Sequence, residues 1–107
     1  MKSHDTIVNR PPAVAGQFYP SNPVELKRML EVNFTKAPAP AADSDVLAII
    51  SPHAGYVFSG EVAAAAFNQV DRAKKYETIF LLASSHRNSF PGGSVYSIGN
   101  YVTPLGT

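Results

Sequence analysis

No cysteine occurs anywhere in the chain, so neither a disulfide framework nor a thiolate nucleophile or metal ligand can come from these residues. A reducing, cytoplasmic setting is the expectation. Charge is scarce too: 16% of residues are charged, and 9 basic residues against 8 acidic ones leave a formal net charge of +1. A field that weak gives no ground for nucleic-acid binding or for attachment to an anionic membrane. Long apolar runs are also missing. Met1 to Asp5 lead into polar sequence and not into a signal-peptide core, and no later run is long enough to cross a bilayer. What is present is 107 residues, 45% apolar and 10% aromatic, which is too apolar for a disordered chain and enough for one small domain or a piece of a larger one.

Prolines and glycines divide the chain. Between Arg10 and Pro20 they alternate with Val14, Phe18 and Tyr19, which reads as an ordered, irregular strap with aromatic anchors. Asn22, Pro23 and Glu25 form a helix start, with a capping residue, a proline at the first helical position and an acid three residues after the cap. The spacing of Leu26, Met29, Leu30 and Phe34 predicts a helix over 23–34 with one packing face. The alanine-proline alternation of 37–42 then forbids regular structure and serves as a connector. Val46–Ile50 and residues 77–83 are continuous apolar runs rich in β-branched residues, expected as strands buried on both faces. Between them a helix is expected over 60–70, opened by Ser59-Gly60-Glu61, and a further short strand over 94–98. Strand, helix, strand implies a right-handed crossover that sets both carboxyl ends along one sheet edge. The fold class expected is α/β, a mostly parallel or mixed sheet flanked by helices.

Two loops then stand at equivalent places. His53 follows the first apolar run by three residues and His86 follows the second by three, so both imidazoles should reach the edge where open α/β sheets bind ligands. Imidazole is a common metal ligand and a proton carrier near neutral pH, which makes His53 and His86 the candidate catalytic and metal-ligating residues. One histidine alone would more often be structural; the pairing raises the functional reading. Gly55 permits a tight turn or close approach of a ligand to backbone, and Tyr56 offers a phenol. The start of the following helix would favour neutral imidazole and attract an anion. Ser85, beside Ser84, reads as a backbone-capping or ligand-adjacent hydroxyl, since no Gly-x-Ser-x-Gly elbow makes it a nucleophile. Arg87 is a candidate anion contact, with a solvated surface arginine as its plainer role. His4 is read as uninvolved.

Four motifs, Pro12 to Pro20, Ser51-Pro52-His53-Ala54-Gly55-Tyr56 with Ser59-Gly60, Ser84-Ser85-His86, and Thr103-Pro104-Leu105-Gly106, occur in order across nearly the whole chain. Together they resemble the Memo-like family, also called the AmmeMemoRadiSam system protein B family. The resemblance implies a fold shared with the class III extradiol dioxygenases, whose iron is held by two histidines and a carboxylate. It places the two metal-site histidines of the family's first half on His53 and His86, with iron or copper as the metal. It also implies that the remaining site residues, a cysteine position among them, come from outside this chain. The 107 residues are therefore expected to be the N-terminal portion of a Memo-like domain, inactive alone and prone to self-associate through unpaired strand edges.

Three functions remain open on the sequence. The leading one is a metal-binding protein with redox or oxygen-related chemistry. Its rival is a non-catalytic binding or scaffold protein whose cleft takes a peptide or small anionic ligand, with His53, Tyr56 and Arg87 as recognition groups. A metal-independent hydrolase using His86 as base is the third, disfavoured because no nucleophile or acidic partner is positioned.

Overall fold

The structure is a computed structural model, and the residues it describes are 6–41 and 45–107. His4 and Ala42 lie outside the described residues. Helix α1 spans Pro23–Lys36. Its start follows from local chemistry: the Asn22 side-chain oxygen accepts from the backbone N–H groups of Val24 at 2.9 Å and Glu25 at 3.1 Å. It ends where Pro38 holds the residue before it extended, and Ala37 takes φ −65° and ψ 144°. The helix therefore runs to Lys36, two residues beyond the expected 23–34.

Helix α2 spans Tyr56–Phe67, displaced toward the N-terminus from the expected 60–70. The reason lies outside its own sequence. Gly55 caps α2 with no side-chain bond, and the first N–H, that of Tyr56, donates to the Phe18 carbonyl of the strap at 2.8 Å. The strap itself turns at Gly16, which sits at φ +80°, a conformation glycine adopts without steric cost. There the Gly16 N–H donates to the Tyr19 carbonyl at 2.7 Å and the Phe18 N–H to the Val14 carbonyl at 2.9 Å.

The two helices pack on each other, and the buried hydrophobic side chains among the described residues are Leu26 and Ala64. Asn33 is buried between them beside Gly60, where a β-carbon would stand 2.6 Å from the Asn33 amide nitrogen. Glycine at 60 is what lets α1 approach. Lys36 and Glu61 pair across the helices, but both are well exposed and contribute little. The connector is tied to the end of α2: the Asn68 amide donates to the Pro38 carbonyl at 2.8 Å, and the Gln69 side-chain oxygen accepts from the Ala41 N–H at 2.9 Å.

The expected strands do not pair into a sheet among the described residues. Among the described residues no β-ladder forms over 46–50, 77–83 or 94–98, and the bridges present are isolated pairs. Leu47, Ile50, Leu81 and Leu82 are 91%, 98%, 87% and 93% exposed. A continuous apolar strand is stabilised only by neighbours on both edges and layers on both faces, and the described residues supply neither. The open shape agrees, since a radius of gyration of 16.5 Å exceeds the roughly 13 Å of a self-contained domain of this length.

A pairing that the sequence did not announce joins the two ends. Arg10 bridges Tyr101 in parallel, with Val8 N–H donating to the Ile98 carbonyl at 2.9 Å, Arg10 N–H to the Asn100 carbonyl at 2.8 Å and Val102 N–H to the Arg10 carbonyl at 2.9 Å. The Arg10 guanidinium lies over the Tyr101 ring at 5.4 Å, and Tyr96 packs edge-on against Tyr101. A β-carbon at Gly99 would fall 2.0 Å from the Val8 carbonyl oxygen, so the pairing needs glycine there. No helix among the described residues is long and apolar enough to cross a membrane.

Candidate functional site

The two histidines meet although no sheet edge carries them. His53 and His86, 33 residues apart, bring their Nε2 atoms to 3.2 Å, with the rings edge-on at 88° and their centroids 5.2 Å apart. Both rings are exposed. At that distance one nitrogen must present its lone pair to the other or both must present theirs to a shared third atom. Two nitrogens each about 2.1 Å from one metal ion stand about 3.0 Å apart at a right angle and about 3.4 Å apart at a tetrahedral angle. The observed separation falls inside that interval, so the residues fit a pair of neighbouring ligands. Among the described residues no group of three or more histidine, cysteine, aspartate or glutamate side chains could hold a metal ion.

The His53 loop is anchored from two sides. Ser59, in the first turn of α2, donates its hydroxyl to the Ala54 carbonyl at 3.1 Å, and Phe58 and Ser59 N–H groups both return to the Gly55 carbonyl. The strap closes on the same place through the bond from Tyr56 to Phe18. Gly55 lies against the strap backbone, where a β-carbon would meet the Phe18 carbonyl oxygen at an ordinary contact distance of 3.4 Å, so this approach does not by itself require glycine. The same bond occupies the first N–H of α2, which weakens the expected attraction for an anion at that helix end.

Tyr56 lies against Tyr19, ring centroids 5.5 Å apart, and burial followed by the neighbouring Tyr19 phenol pushes its hydroxyl above the ordinary tyrosine range. Tyr56, Tyr19, Phe18, Phe34 and Phe67 line a largely apolar cavity of about 510 Å³ that opens beside His53. Ser85 is engaged within its own loop, donating to the Asn88 carbonyl at 2.5 Å and accepting from the Asn88 N–H at 3.3 Å. Arg87 is exposed next to His86, outside the cavity and without an ion-pair partner among the described residues. The structure thus joins His53 with His86 and Tyr56 with the adjoining cavity, and it brings neither Ser85 nor Arg87 to that cavity.

Sequence reasoning passed over Phe18 as a cap, Ser59 as a tether and Asn88 as the partner of Ser85. A serine three residues before a residue able to fold back on it is the one local signal that would have found the last of these.

A family profile described as Memo-like protein matches residues 10–107. A MEMO1 family protein of Desulfurococcus amylolyticus is 38% identical over 105 residues, covering 91% of this chain and 37% of the relative. One from Methanopyrus kandleri is 35% identical over 107 residues, covering 94% of this chain and 38% of the relative. Another, from Ignicoccus hospitalis, is 36% identical over 105 residues. The chain therefore spans little more than a third of the length of these relatives, at 37% and 38% for the first two. No solved structure matches it.

Proposed function

We propose, since this chain belongs to the Memo-like protein family, that His53 and His86 are two ligands of a non-haem metal site whose remaining ligands lie beyond the described residues. The observation that carries the reading is the 3.2 Å approach of two Nε2 atoms from loops 33 residues apart. Iron or copper suits such a site, and either would supply one-electron redox chemistry, the oxygen-related activity of this reading included. The chain's own residues do the rest: the two imidazoles present lone pairs at one point, and Tyr56 keeps its phenol protonated, and so able to donate, at the wall of the cavity. The apolar lining excludes water from whatever ligand occupies that cavity. A cytoplasmic setting belongs to the same reading, as does an α/β fold of Memo type for the whole domain. So does self-association of the chain through exposed Ile50, Leu81 and Leu82, which a sharp, concentration-independent monomer in sedimentation would remove.

Titration of the full-length protein with ferrous and cuprous ions, wild type against His53→Ala and His86→Ala, tests the metal site. Each variant is expected to lose at least tenfold in affinity, and unchanged affinity in both ends the metal reading. The two imidazoles alone should bind weakly, which leaves the chain inactive by itself. A second reading rests on the cavity: a non-catalytic binding protein that recognises a peptide or small ligand. Its apolar lining favours an apolar side chain over an anion. Metal-free protein binding its partner as tightly as metal-loaded protein would favour that reading.

A further inference from the structure

We infer that Ser85 is the positioning residue for His86: its hydroxyl closes the turn that holds this imidazole against His53. The inference rests on the histidine pair being the functional site. The Ser85 hydroxyl both donates to and accepts from the backbone of Asn88, so a closed ring of atoms encloses His86 and Arg87. Nothing else secures this loop. Among the described residues from 77 to 95, the hydrogen bonds are the Ser85–Asn88 pair and the contact between His53 and His86, and every residue in that stretch is exposed. A histidine on an unpacked, unpaired segment samples many placements, and each local tie removed widens that range.

The comparison with His53 sharpens the point. That loop has its own serine tether, Ser59 to Ala54, but it also runs into α2, whose first N–H is held by Phe18 and whose next turn returns to Gly55. Loss of Ser59 leaves those bonds standing. Loss of Ser85 leaves residues 77–95, among the described residues, only the His53–His86 contact itself. The doubly engaged hydroxyl also explains why Ser85 is a poor candidate for touching a ligand: its one proton is committed to the Asn88 carbonyl.

The test uses the chain without metal and reads the nuclear Overhauser cross-peak between the ring protons of His53 and His86. Ser85→Ala is expected to lose the cross-peak, Ser85→Thr to keep it because the hydroxyl is retained, and Ser59→Ala to keep it. Circular dichroism should give the wild-type helix content in both Ser85 variants, since Ser85 lies outside both helices. A cross-peak of wild-type intensity in Ser85→Ala, or none in the wild type, overturns the inference. Ferrous-ion titration of the same variants made in the full-length protein separates this from the metal reading. Affinity is expected to fall about tenfold or more in Ser85→Ala and to recover in Ser85→Thr, as for partners that orient metal ligands. If wild type and His86→Ala bind the ion equally, the metal site fails while the cross-peak still decides the role of Ser85.

Discussion

The strap and helix pair, residues 10–36 and 56–67, and the segment from 77 to 95 are both rich in apolar residues and opposite in outcome. In the first, Leu26 and Ala64 are buried, both helix starts are capped, and the connector is pinned to α2. In the second, Ile79 to Leu82 stand 72% to 93% exposed and no backbone bond holds them. The difference is one of where the partners lie. A helix satisfies its backbone within itself and asks only one face of its neighbour, whereas a strand asks other strands for every hydrogen bond. Helices can therefore complete themselves where apolar runs that favour strands find no partner.

The sharpest way to break that contrast is to truncate a large apolar side chain in each region. Leu26→Ala is expected to lower the stability of the helix pair by about 3 kcal/mol, while Leu82→Ala changes it by less than about 0.5 kcal/mol, both read by chemical denaturation. Equal costs would mean that 77–95 is as well packed as the helices. Gly99→Ala probes the end pairing, which belongs to neither region. A β-carbon driven into the Val8 carbonyl should cost about 1–3 kcal/mol locally and abolish hydrogen-exchange protection at the Val8, Arg10 and Val102 amides, leaving the helical amides unchanged. The smallest effect concerns pH. Because the Tyr56 hydroxyl is raised above its ordinary 10.0, its contribution to stability is fully present below that value and is lost as the pH climbs through the higher folded value. Phenolate absorbance should show one late-titrating tyrosine that disappears in Tyr56→Phe.

How much of this was legible in the sequence depended on how far each interaction reached. Asn22, Pro23 and Glu25 announced α1 because capping is decided within a few residues, and the Ala37-Pro38 step announced its end. The start of α2 was misplaced by four residues since its cap is the carbonyl of Phe18, which no local pattern reveals. The strands over 46–50 and 77–83 were read from apolar runs that do favour β structure, but the ladder depends on neighbours those runs do not name. His53 and His86 were found from their equal offsets after the two runs, and they meet even without the sheet that was meant to carry them. The Tyr96 hydroxyl donating to the Val8 carbonyl, 88 residues away, has no signature in either segment.

The bond from Tyr56 to Phe18 also bears on the order of events expected in folding. Nucleating a helix is unfavourable until its first turn is fixed, and α1 carries the means to do so in Asn22. Helix α2 has no such side chain and gains its first backbone partner only when the strap folds over it, which adds the entropy of closing a long loop to its nucleation. In kinetic terms α1 is expected in the early part of the barrier and α2 in the late part, with the His53 imidazole, three residues before α2 begins, set in place after α1 forms; φ-values near 1 in α2 and near 0 in α1 would reverse that order.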